Sequence, residues 1–170
     1  RWCRGAALDL LYPATCAGCG VELDAADETP PFCAECLGRL PLFHGATCLR
    51  CSAPVPEQAP RDRCYTCGGT KLRFDETVAL GRYDALLREW LLKIKDGHGE
   101  SLALAIAELV WQRHSERLTA TRPDVVVPVP MHWRRRLLRG TNSPAILAER
   151  LAEHLRVPHA PDLLRRTRHT

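Results

Sequence analysis

Eight of the nine cysteines fall into four C-x-x-C pairs: "CAGC" (Cys16, Cys19), "CAEC" (Cys33, Cys36), "CLRC" (Cys48, Cys51) and "CYTC" (Cys64, Cys67). Two thiolates two residues apart on a tight turn grip one metal ion, and a second such knuckle completes a tetrahedral shell of four thiolates. The intervening stretches of 13, 11 and 12 residues leave room for a short hairpin between knuckles. Sequential pairing gives one site from Cys16, Cys19, Cys33 and Cys36 and a second from Cys48, Cys51, Cys64 and Cys67. Spacing alone leaves a crossed pairing open.

Four disulfides in a secreted scaffold are the competing explanation. The opening "RWCRGAALDLLYP" argues against it, because Asp9 interrupts the apolar run and no small-residue cleavage site follows. So does the cysteine-free stretch of about 100 residues after Cys67. Redox C-x-x-C chemistry does not come as four copies in register. The expectation is two structural zinc ions with closed shells, holding a module with too few large apolar side chains to stand without metal. Gly18, Gly20, Gly68 and Gly69 are expected to supply positive φ in the knuckle turns. Cys3, His44 and His98 lie off the pattern and are expected not to be ligands.

No apolar stretch reaches the roughly 18 residues of a membrane span, and the expected location is cytoplasmic. Charge is uneven. Residues 1–70 carry 6 Lys and Arg against 8 Asp and Glu, whereas residues 71–170 carry 18 against 12. An anionic partner is therefore expected at the second half.

That half reads as alternating strand and helix. "ETVALGRY" (76–83) has strand-like content, and "DALLREWLLKIK" sets Leu87, Trp90, Leu91 and Ile94 on one helical face. A second helix from Ser101 carries Leu102, Ile106, Leu109 and Val110, with Arg113 and Arg117 near its end. "RPDVVVPVP" is a short continuous apolar strand of the kind buried on both faces of a parallel sheet. The next helix begins near Pro144 with Ser143 as expected cap.

Between that strand and that helix lie His132, Arg134, Arg135, Arg136, Arg139 and Asn142, with no acid from Pro128 to Ile146. Guanidinium forks match phosphate oxygens pairwise, a helix N-terminus adds N–H donors, and α/β proteins bind ligands at strand ends. A phosphorylated ligand fits. A solvated basic loop and a nucleic-acid groove with Trp133 stacking on a base remain open. "RRTRHT" at 165–170 repeats the theme.

The four knuckles, "PVPMHWRRRLLRGTNSPAILAERLA" and "LLRRTRHT" together resemble the ComF family, from about Leu11 to Thr170. Pro128, Val129, Pro130, His132, Arg135, Arg139, Gly140 and Asn142 match the family's arginine loop, with Met131 in place of Leu and Thr141 and Ser143 where Phe and Gln are usual. Lys95 resembles the family's lysine after the first helix. Arg166, Thr167, Arg168 and Thr170 resemble the basic segment that closes over ligand in phosphoribosyltransferases.

The resemblance implies an α/β fold class, with an N-terminal double zinc ribbon (11–70) followed by part of a type I phosphoribosyltransferase-like domain (74–170). It implies action in natural competence, the uptake of transforming single-stranded DNA, with a helicase-like partner on the cytoplasmic side of a membrane uptake channel. It implies phosphoribosyl pyrophosphate with magnesium as ligand of the full-length protein. The acidic pair and Thr/Gly-rich loop that cradle that ligand in the family do not occur before Thr170, and no initiating methionine is present. The expectation is a fragment cut at both ends. An active transferase in nucleotide or cofactor salvage, and a zinc-ribbon adaptor that binds protein alone, are the alternatives.

Overall fold

The computed structural model describes residues 13–23, 31–95, 99–131 and 142–167. Helices in these segments are α1 (Ala34–Arg39), α2 (Ala85–Lys95), α3 (Glu100–Ala120) and α4 (Ser143–Leu155).

The N-terminal part, expected as a double zinc ribbon, is built from one motif used twice. In the first copy Thr15 and Glu22 bridge antiparallel, Cys16 N–H donates to the Val21 carbonyl and Gly20 N–H to the Cys16 carbonyl, both at 2.7 Å. In the second, Thr47 and Pro54 bridge, Cys48 N–H donates to Ala53 and Ser52 N–H to Cys48, both at 2.8 Å. The residue after each second cysteine takes positive φ, +80° at Gly20 and +58° at Ser52. Gly18, Gly68 and Gly69 do not, contrary to expectation. Gly18 is required by packing instead: a Cβ there would lie 2.3 Å from the Trp90 ring.

Helix α2 buries Leu87, Trp90 and Ile94 as its apolar spacing predicts. Trp90 is fully buried and stacks on Phe32 of the first ribbon, with centroids 4.5 Å apart. One continuous core thus joins Cys16, Phe32, Cys36 and Leu40 of the first ribbon to α2 and to Leu102, Ile106 and Leu109 of α3. The second ribbon has its own small cluster around Cys48, Cys64 and Cys67. Arg117, near the end of α3, ties that ribbon in, donating to the carbonyls of Leu49 (2.7 Å) and Thr77 (2.9 Å) and pairing with Glu76.

Among the described residues, strand pairing is limited to isolated bridges. The segment expected as a strand at 76–83 forms, among the described residues, a single β-bridge near its end, with further main-chain bonds from Thr77 N–H to Leu49 and from Phe43 N–H to Leu80. Gly81 bridges antiparallel to Leu42, and a Cβ at Gly81 would lie 2.3 Å from the Pro41 carbonyl oxygen. It therefore joins the ribbon and not the apolar strand at 125–130.

That strand pairs in parallel with a segment the sequence reading missed. Val126 bridges His159, donating to the Pro158 carbonyl and accepting from Ala160 N–H, both at 3.0 Å. Helix α4 forms the crossover. It ends at Arg156 in the left-handed conformation (φ +58°), which returns the chain toward the bridge. Burial on both faces is not seen: Val125, Val126 and Val127 are half-buried and Val129 is 74% exposed. Among the described residues the bridge to His159 is the only pairing of this segment, so it lacks the flanking strands of a parallel-sheet interior.

Helices α3 and α4 pack against one another, and small residues on both, Ala103 and Ala107 of α3 and Ala148 and Ala152 of α4, are buried. At the start of α4 the N-cap is Asn142, and Ser143 serves elsewhere. The Ser143 hydroxyl donates at 3.0 Å to the Ile94 carbonyl, one of the orphan acceptors at the end of α2. No helix of the described residues is long and apolar enough to cross a membrane.

Candidate metal centres and the cleft at the strand end

The knuckles bring the thiols together in sequential pairs. Cys16, Cys19, Cys33 and Cys36 form one group and Cys48, Cys51, Cys64 and Cys67 the other, with all sulfur atoms of a group within 4.8 Å of one another. Zinc–sulfur bonds of about 2.3 Å in tetrahedral array place sulfurs about 3.8 Å apart. The distances are 3.7 Å for Cys19–Cys33, 3.6 Å for Cys51–Cys64 and 3.8 Å for both Cys48–Cys67 and Cys64–Cys67. A disulfide needs about 2.05 Å. The donor set therefore fits zinc and not a disulfide framework.

The electrostatics point the same way. Burial pushes the Cys16 thiol up, but main-chain N–H groups of Cys33, Cys19 and Gly18 outweigh it and lower it to about 6. In the second group burial is likewise outweighed at Cys64, by the Cys67 N–H and by Cys51 and Thr66, giving about 6. Burial and neighbouring thiols push Cys36 up. At Cys51 the Ala53 N–H favours the thiolate, yet burial and the sulfurs of Cys64, Cys67 and Cys48 push it up to about 12. The first group thus favours the Cys16 thiolate and the second those of Cys48, lowered chiefly by the Cys51 N–H, and Cys64, while each resists a further thiolate at Cys36 or Cys51. A divalent cation at the centre removes that conflict. His44 stands outside both groups and is exposed; Cys3 and His98 lie outside the described residues.

The C-terminal end of α2, the strand end at 129–131, the start of α4 and the segment at 166 enclose a cleft of about 240 Å³. Its walls are apolar, from Leu91, Ile94, Val129, Met131 and Leu147, and its two cationic side chains are Lys95 and Arg166. Arg166 also lines an adjoining cleft with Asn142 and Arg165. Lys95, Asn142 and Arg166, far apart in sequence, thus meet where the chain leaves Met131. Sequence reasoning did not single out the apolar wall, because Leu91 and Leu147 carry the same helical periodicity as core positions. His132, Arg134, Arg135, Arg136, Arg139, Arg168 and Thr170 lie outside the described residues.

Closed four-thiolate shells beside a strand-end cleft define a zinc-ribbon protein with a separate ligand-sized site. The double zinc ribbon domain family matches residues 7–68. The chain is 24% identical over 173 residues to competence protein F of Haemophilus influenzae, covering 99% of this chain and 65% of that protein. No solved structure matches. With the two groups of four cysteines, these likenesses support a ComF-family protein. It spans 65% of the length of the curated relative it matches.

Proposed function

We propose that this chain is the ribbon-bearing part of a competence protein working on incoming single-stranded DNA, and that its strand-end cleft binds a phosphorylated ligand of the phosphoribosyl type. One observation carries the reading: Lys95 and Arg166 line one cleft whose remaining wall is largely apolar. A ligand with an anionic end and an uncharged body suits such a site, and cations at a strand end before a helix N-terminus suit phosphate. The parallel bridge between Val126 and His159 across α4 supports a phosphoribosyltransferase-like sheet. The printed name of the Haemophilus relative supports the competence role. A helicase-like partner and a membrane channel belong to the same proposal.

Calorimetric titration of phosphoribosyl pyrophosphate with magnesium into the full-length protein tests it. Lys95→Ala and Arg166→Ala should each weaken binding at least about tenfold, since each removes a charge-assisted contact. Arg135→Ala with Arg139→Ala should weaken it while leaving zinc content unchanged. Binding indifferent to all four substitutions would reduce these cations to a solvated surface.

A further inference from the structure

The charge division between the halves of the chain hides a second division between the ribbons. Residues 1–43 carry 3 Lys and Arg against 6 acids, whereas residues 44–74 carry 5 against 2. The second ribbon is therefore basic. Three of its arginines are held by main-chain carbonyls: Arg50 on Leu72 (3.0 Å), Arg61 on Thr47 (3.2 Å), and Arg63 on Gly68 through both Nε (3.2 Å) and Nη2 (2.8 Å). None is paired with a carboxylate among the described residues. Each guanidinium is thus fixed in place with N–H donors to spare, and donors already ordered lose less entropy on binding.

Two further features adjoin them. Arg61 stands at a groove of about 470 Å³ between the second ribbon and α3, whose lining includes Thr47, Gln112, Arg113 and Ser115. Arg117 there is already paired with Glu76, and Glu116 is the one acid of the lining. Tyr65, four residues beyond Arg61 and so at most ~14 Å of chain away, is 91% exposed at the tip of the "CYTC" knuckle. The zinc ligands on either side of it, Cys64 and Cys67, are buried. Tyr65's chain neighbours Arg63 and Thr66 are polar, and an exposed ring beside cations is the arrangement that stacks on bases.

We infer that Tyr65 and the groove between the second ribbon and α3 form a docking surface for single-stranded DNA, in which Tyr65 stacks on a base and Arg61 and Arg113 hold the backbone; Arg50 and Arg63 line a separate cleft with Asp62, Asp75 and Glu76 and take no part. Stacking on an exposed ring needs an unpaired base, which a duplex does not offer. The choice of DNA rests on the function proposed above. This surface is separate from the strand-end cleft.

The test is fluorescence anisotropy of labelled oligo-dT with the full chain across a salt series. Tyr65→Ala should weaken binding about 5- to 100-fold, as loss of one stacked base does, and Tyr65→Phe should restore it. Arg61→Ala with Arg113→Ala should weaken binding and flatten the salt dependence by about 1 to 1.5 in log–log slope. Zinc content should stay unchanged in each variant. Unchanged affinity in these variants, with loss in Lys95→Ala and Arg166→Ala, would overturn this surface and leave the cleft proposal standing. Preference for duplex DNA or for RNA of matching sequence would overturn it, and no binding of oligo-dT by the unsubstituted chain would sink it together with the DNA role.

Discussion

Gly18 lies against the indole of Trp90 so closely that a Cβ would fall 2.3 Å from Cζ2 and 2.9 Å from Cε2 of the ring. Trp90 cannot retreat, because it is fully buried and Phe32 stacks on its ring. The first zinc knuckle and α2 are thereby fixed to one another through the absence of a side chain.

Gly18→Ala should destabilise the chain by about 1–3 kcal/mol through overpacking. In thermal unfolding of the zinc-loaded protein this corresponds to a fall in Tm of about 2–10 °C. Gly69→Ala is the control, since nothing lies within 4 Å of its added methyl. Equal effects at both positions would mean that the Trp90 contact does not limit packing.

Removing a ligand from each ribbon should have unequal consequences. Cys36 is part of the core that continues into α2 and α3, whereas Cys67 belongs to the small separate cluster. Cys36→Ser and Cys67→Ser should each lower zinc content from two ions per chain to one, measured by native mass spectrometry. Cys36→Ser alone should also lower amide-exchange protection in α2 and α3. Protection lost equally in both variants would show the two clusters to be one cooperative unit.

Zinc retention should fall with pH in a defined direction. Protons compete with the metal for thiolates, and the thiols with the lowest values, Cys16 and Cys64 at about 6, are the last to be protonated. Cys36 and Cys51, pushed up, regain their protons first once a bond to metal opens. Release to a colorimetric chelator should therefore accelerate as pH falls toward about 6, and binding of zinc at neutral pH should displace protons, detectable by calorimetry in buffers of different ionisation enthalpy. Release that ignores pH would argue against thiolate ligation.

The zinc ribbons were legible in the sequence because metal chemistry imposes a local spacing that four knuckles repeat. The faces of α2 and α3 were legible for a related reason, since Leu87, Trp90 and Ile94 recur at the helical period. What was not legible depends on contacts remote in sequence. Nothing near "VPHA" marks a strand, because its pairing rests on one residue, Val126, and Pro158 contributes only its carbonyl. Ser143 looks like a cap locally, and its hydroxyl instead finds Ile94, 49 residues away. Ser52 takes the positive φ that Gly20 takes in the first ribbon, and only the repeated fold reveals the equivalence. At the strand end the basic character was readable, but the meeting of Lys95, Asn142 and Arg166 needed the crossover of α4.

The α3–α4 contact carries the remaining prediction. Glu108 accepts from Arg150 and lies 3.0 Å and 3.1 Å from His154 Nε2, whose ring stacks on Trp111 with centroids 4.7 Å apart. Burial alone would push the Glu108 carboxyl up, yet Arg150 and His154 hold it below its ordinary value. A carboxyl depressed on folding stabilises the native state above its unfolded value, and that contribution disappears as pH falls through the lower folded value. Glu108→Gln should therefore lose about 1–3 kcal/mol at neutral pH, because Arg150 and His154 keep a poorer acceptor. Its stability should then decline less than that of the unsubstituted chain between about pH 5 and pH 3. Urea unfolding of the zinc-loaded protein at neutral pH gives the first quantity. Below the pH at which zinc is released, the comparison is made between the two metal-free chains, with helical circular dichroism as the signal. Parallel acid limbs for the two proteins would show that Glu108 is not depressed on folding and that its partners act only as packing.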